Sequence, residues 1–170
     1  MTDHRPRYFD DYQPGATHDC GSVSVSEDEI ISFAKDFDPQ PFHVDPAAAA
    51  RGPFGGLIAS GWHTAGLVMR QLVAHFLSAE ASLGSPGLDE IRWPQPVRPG
   101  DTLRVRATVT EARRSQSRPD RGIVKTMIEA VNQDGRTVMR ATAINFLRVR
   151  PESDAPESGA PASGAPESGD

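Results

Sequence analysis

The sequence predicts an α+β fold in which one long apolar helix is wrapped by a curved antiparallel sheet. Three observations predict it. The stretch "WHTAGLVMRQLVAHFLSAE" carries Ala65, Leu67, Val68, Leu72, Val73, Phe76 and Leu77 with few polar interruptions. A helix apolar over so much of its circumference is normally buried on several sides. After about residue 100 the apolar period changes to two, the signature of half-buried strands. Finally, "NQDG" (Asn132 to Gly135) is a hairpin turn signal inside that strand-rich half.

In chain order, the N-terminal third reads as helical with irregular links. "SEDE" (Ser26 to Glu29) is a capping box, in which Ser26 accepts from a first-turn amide and Glu29 reaches back. Ile30, Ile31, Ala34 and Phe37 follow at helical spacing, so a helix is predicted from Glu27 to about Asp36. Pro39 and Pro41 forbid its continuation. Asp45 followed by Pro46 is an N-cap with a first-turn proline, opening a short Ala-rich helix through Arg51. "GPFGGLIASG" is a glycine-punctuated loop before the long helix.

In the second half, Leu103, Val105, Ala107 and Val109 alternate with Arg104, Arg106, Thr108 and Thr110, predicting a strand with one face inward. "GIVKTMIEAVNQDGRTVMRATAINFLRVR" supplies two more strands around the hairpin turn, and a shorter strand near Ile91 and Trp93 is ended by prolines. The body, residues 1–150, is long enough for one domain that buries about two-thirds of its unfolded surface.

From Pro151 the composition changes to "PESDAPESGAPASGAPESGD", with no large apolar side chain, and residues 151–170 are expected to be a disordered acidic tail. This tail carries five of the 23 acidic residues and none of the 18 Lys and Arg, so the body holds 18 of each sign. A neutral body lends no support to nucleic-acid or membrane binding driven by net charge. No apolar run is long enough to span a bilayer, and the N-terminus lacks a signal-peptide core, so a cytoplasmic protein is expected. Cys20, the only cysteine, permits no internal disulfide or thiolate metal cluster, and no neighbouring His or base supports it as a nucleophile.

The chemistry concentrates in "FAKDFDPQPFHVDPAAAA". Asp38 ends the first helix, and His43 follows across two prolines that restrict their own φ angles and the residues before them. Read structurally, Asp38 is a helix terminator and His43 a loop histidine. Read chemically, a carboxylate and an imidazole held around one space share a water and pass protons near neutral pH. "HVD" also raises a facial-triad iron site, with His63 or His75 as the third ligand. Asp45 is better explained as the cap before Pro46, and the strand-rich half contains no His.

"ASGW" places Ser60 and Gly61 at the start of the long helix, where unpaired amides and a glycine allow a ligand oxygen to approach. Such a donor suits a thioester carbonyl that gains charge when its α-carbon loses a proton. His63 either lines the same place or packs. In "ARRSQSRPDRG", Arg113, Arg114, Arg118 and Arg121 are candidates for phosphate contacts on a ligand, or a solvated turn.

Together, "DPQPFHVD" and "FGGLIASGWHT" resemble the MaoC-like dehydratases, relatives of the (R)-specific enoyl-CoA hydratases, which carry Asp-x-Asn-Pro-x-His and then His-Gly at a helix start. The resemblance covers nearly all of residues 8 to 150, including the "RPGD" turn (Arg98 to Asp101). It implies the hot-dog fold, usually dimeric, with Asp38 and His43 as the catalytic pair and the Gly61 N–H polarising the thioester carbonyl. Gln40 stands where the family usually has Asn, and Ser60 where it usually has His. The implied reaction is hydration of an enoyl thioester or dehydration of a (3R)-hydroxyacyl thioester, with no metal or redox cofactor. Coenzyme A or acyl-carrier pantetheine enters as part of the substrate, so an acyl carrier protein is a candidate partner. A hot-dog acyl-thioesterase and a non-catalytic acyl-thioester-binding subunit are the alternative readings.

Overall fold

A computed structural model describes residues 6–152. Beyond Glu152, the expected acidic tail lies outside the described residues. After a 3-10 turn at Phe9–Asp11 come β1 (Thr17–Ser24), α1 (Glu27–Phe37), α2 (Pro41–Val44), α3 (Pro46–Arg51), α4 (Gly61–His75), β2 (Gly87–Arg92), β3 (Thr102–Arg114), β4 (Arg121–Val131) and β5 (Thr137–Arg148). The strands form one antiparallel sheet in the order β1-β3-β4-β5-β2. With α4 packed into its curve, this is the hot-dog arrangement.

The period-two reading of β3 holds in detail: Leu103, Val105, Ala107 and Val109 are fully buried, and the register sets them beside the inward residues of β4. Together with Val124, Ile128 and Ala130 of β4, Val138 and Leu147 of β5, and Leu67, Val68 and Leu72 of α4, they form the core cluster. Full burial of each large aliphatic side chain contributes about 1.5–3 kcal/mol. The capping box forms as expected, with Ser26 Oγ accepting from Glu29 N–H at 3.2 Å and Glu29 Oε2 accepting from Ser26 N–H at 3.1 Å.

Two expectations are corrected and one is extended. The N-terminal third is not only helical, because β1 pairs with β3 as an edge strand. Its sequence "THDCGSVS" hides the period: the register shifts between Asp19 and Ser22, where Gly21 has a φ of +78°, a bulge that breaks apolar alternation and bends the strand. The proline pair does more than end α1. Pro41 opens α2, since proline at a first helical position lacks only an amide that would be orphaned there. Lastly, α4 is not buried on several sides. Its Thr64, Leu67, Val68 and Leu72 face the sheet or α1, whereas Trp62, Met69 and Val73 are exposed, because the sheet of one chain covers only one side of the helix.

Candidate active site

Asp38 is the C-cap residue of α1, its N–H still donating to the Ala34 carbonyl at 2.9 Å. His43 lies one turn further on, in α2, and is buried. Its Nδ1 lies 2.7 Å from the Ile58 carbonyl oxygen. A carbonyl only accepts, so Nδ1 carries the proton and Nε2 is left to face Asp38. Nε2 lies 3.3 Å from Asp38 Oδ2. A protonated ring donates from Nε2 to the carboxylate, and a neutral ring leaves two acceptors that suit a small shared donor such as water.

The Asp38 carboxylate is held from both sides. Ser60 Oγ donates to Oδ2 at 2.7 Å, and Gln40 Nε2 donates to Oδ1 at 2.7 Å. These bonds, that from Ser60 foremost and Gln40 next, hold the Asp38 carboxyl below its ordinary range, with His43 adding to them and desolvation opposing. Ser60 is itself buried and caps α4, its Oγ also accepting from Trp62 N–H at 3.3 Å. The loop before α4 is pinned by Ile58 N–H donating to Phe42 O at 3.1 Å and Ala59 N–H to Val97 O at 2.8 Å. One short segment therefore orients His43 through Ile58, Asp38 through Ser60, and the first turn of α4.

Gly61 opens α4, so its amide has no carbonyl one turn back within the helix. With His43 it lines a cavity of about 360 Å³, walled also by Phe42, Phe54, Thr64, Trp93, Pro96 and Val97. Residue 61 is a glycine for a packing reason too: an added Cβ would lie 2.7 Å from the Trp93 ring. The arm carrying Trp93 is anchored by the turn at Arg98–Asp101, where buried Asp101 accepts from Arg98 N–H at 2.9 Å and Gln133 Nε2 at 2.8 Å.

The structure thus brings Asp38, His43, Gln40, Ser60 and Gly61 together. His63 sits elsewhere, stacked on Phe33 of α1 with ring centroids 4.9 Å apart and not lining the cavity. Burial lowers its imidazole pKa. Nor does one chain bring the arginine turn to the pair. Arg114 pairs with Asp10 and Arg113 with Glu111, Arg121 pairs with Asp120, and Arg118 N–H donates to Ser115 Oγ. Gly122 packs under Phe9, and nearby Tyr12 donates to Phe76 O just past the end of α4. That end is about 22 Å from Gly61 along a 15-residue helix. Asp45 Oδ1 caps α3 by accepting from Ala47 and Ala48 N–H, and His75 lies beside Gly21. Among the described residues no three His, Cys, Asp or Glu side chains form a group able to hold a metal ion.

Sequence reasoning missed Trp93 and the Ser60–Asp38 bond. The signal for the first was "WPQPV", read only as a strand ending. For the second, no local pattern links residues 22 apart.

Fold and site define a hot-dog protein with an aspartate–histidine pair beside the first turn of its central helix. The chain belongs to the MaoC-like family, whose profile, described as the MaoC like domain, matches residues 11–132. Among solved structures, the MaoC-like dehydratase from Rhodospirillum rubrum is similar with a TM-score of 0.80 and 43% identity, covering 85% of this chain and 99% of that one. The Bacillus subtilis protein YdeM is 30% identical over 126 residues, 74% of this chain and 87% of its own. The 3-hydroxyacyl-thioester dehydratase Z of Mycobacterium tuberculosis is 40% identical over 88 residues, 51% of this chain and 57% of that protein.

Proposed function

We propose that this chain is a hydro-lyase that interconverts enoyl thioesters and (3R)-hydroxyacyl thioesters, with Asp38 and His43 as its acid–base pair. The observation that carries the reading is the 3.3 Å approach of His43 Nε2 to Asp38 Oδ2, beside a cavity that Gly61 also lines. In hydration, the water oxygen bonds to C3 while one of its protons passes to the pair. The C2=C3 π electrons move to C2 and onto the thioester oxygen, where the Gly61 N–H offsets the developing charge. The pair then returns a proton to C2, so water is added with nothing oxidised or reduced. The step draws on no metal or redox group, and coenzyme A or acyl-carrier pantetheine belongs to the substrate.

In this reading the chain works in the cytoplasm as a homodimer or larger. No helix among the described residues is long and apolar enough to cross a membrane. Support for self-association is the two open sheet edges, β1 and β2, and the exposed Trp62, Met69, Val73 and Leu88.

The test is to incubate the purified chain with crotonyl-CoA and, separately, a crotonyl acyl carrier protein. Loss of enoyl absorbance with a (3R)-hydroxybutyryl product is the expected result. Release of free thiol without hydration would instead mark a thioesterase. Absence of both reactions would indicate a binding subunit.

A further inference from the structure

The cavity beside His43 does not run freely along α4. A second hollow, about 250 Å³ and almost wholly apolar, lies between α4 and the sheet, lined by residues that include Trp62, Met69, Leu72, Leu88 and Ile91. The two hollows share no lining residue. They meet at a pair of indoles: Trp93 borders the first and Trp62 the second, with ring centroids 5.5 Å apart at an interplanar angle of 72°. The Trp93 ring rests on Gly61, where no side chain intervenes.

We propose that the Trp62–Trp93 pair is a partition that confines the substrate to the His43 cavity and makes the chain selective for short acyl thioesters, with Trp93 as the specificity-determining residue. The proposal rests on the hydro-lyase reading. A cavity of about 150 Å³ holds one benzene, so the 360 Å³ beside His43 takes roughly two such fragments. One is the thioester head group, and the other is an acyl group of about four to six carbons on the same scale. A longer chain has to displace an indole to reach the apolar hollow. Trp93 is 37% exposed, so its ring can be removed without emptying the core, whereas Trp62, 62% exposed, also lies on the face proposed for self-association.

The experiment compares crotonyl-CoA with decenoyl-CoA in the wild type, Trp93→Phe, Trp93→Ala and Trp62→Ala, reading kcat/KM for hydration. The wild type is expected to favour the short substrate by about tenfold or more, the scale at which a pocket discriminates added methylenes. Trp93→Ala should move that ratio about tenfold towards the long chain, with a smaller move for Trp93→Phe. Trp62→Ala opens the partition from the face of α4 proposed for self-association and replaces Trp93→Ala if that variant misfolds, with light scattering to check that its assembly matches the wild type. A parallel titration with saturated butyryl-CoA and decanoyl-CoA reads binding without turnover, using the emission of the two tryptophans, the only ones in the chain. A shifted binding preference in a protein that hydrates nothing would uphold the partition and sink the hydro-lyase reading. Hydration with chain-length preference unchanged across the variants, or no binding of either saturated thioester, would overturn the partition.

Discussion

Ser60 donates to Asp38 Oδ2 at 2.7 Å, the same oxygen that lies 3.3 Å from His43 Nε2. The hydroxyl therefore ties the first turn of α4 to the end of α1, where the family usually places a histidine. It also fixes which carboxylate oxygen faces the imidazole, leaving the other to Gln40.

Removing that hydroxyl has a signed consequence for pH dependence. The Asp38 carboxyl is held below its ordinary 3.8, chiefly by Ser60, so Ser60→Ala raises it. If the ionised carboxylate is the working form, the acid limb of the pH–rate profile moves to higher pH. In the wild type, the stability from this depressed pKa is full above the unfolded value of about 3.9 and is lost as pH falls through the folded one. The variant also loses its α4 N-cap, at about 1 kcal/mol. An unmoved acid limb would show that Ser60 serves only as a cap.

Substituting the pair itself tests the chemistry. Asp38→Asn or His43→Gln should each lower hydration turnover by about a hundredfold or more. The double variant should lose much less than the product of the two, because groups acting as a unit are not additive. Melting temperature should hold in His43→Gln and fall modestly wherever Asp38→Asn removes the carboxylate that Ser60 and Gln40 stabilise. Single variants with near-wild-type rates would leave Asp38 a helix terminator and His43 a packing residue.

Gly61→Ala puts a Cβ 2.7 Å from the Trp93 ring, so the indole has to move. Overpacking of this kind costs about 1–3 kcal/mol. Adding Trp93→Ala to Gly61→Ala should recover most of the lost melting temperature, a coupling that a double-mutant cycle measures directly. Additive losses would show that the two residues do not press on one another.

His63 is buried against Phe33 with its pKa lowered from 6.5, mainly by desolvation. A group depressed on folding contributes stability that is full above its unfolded value and is lost as pH falls towards the folded one. Denaturant midpoints should therefore decline as pH drops below about 6.5, and His63→Phe should flatten that slope. An unchanged slope in the variant would assign the decline to other groups, His18 among them.

Self-association is expected to need the open face of α4. Light scattering at micromolar concentration should report a dimer or larger, and Met69→Glu with Val73→Glu should shift it towards monomer, since burying unpaired charge is costly. A wild type that is monomeric at that concentration would remove the assembly from the proposal.

Much of the molecule is legible without coordinates because it depends on neighbours in sequence. Ser26 and Glu29 lie one turn apart, so their capping box is readable locally, as is the Asp45–Pro46 start of α3. Alternation in 102–110 specifies an inward face before the strand has a partner. The aspartate–histidine pair is also readable, because only four residues, two of them stiff prolines, separate its members. Other features depend on contacts between distant segments. β1 carries a glycine bulge and little alternation, so its pairing with β3 makes it a strand. Ser60 reaches Asp38 across 22 residues, and Trp93, just past the end of β2, reaches Gly61 at the start of α4, distances over which no periodicity operates. His63 shows the same limit. It lies two residues from Gly61 in sequence, but helical geometry turns it towards Phe33 and away from the cavity, and only the packing of α1 on α4 decides that.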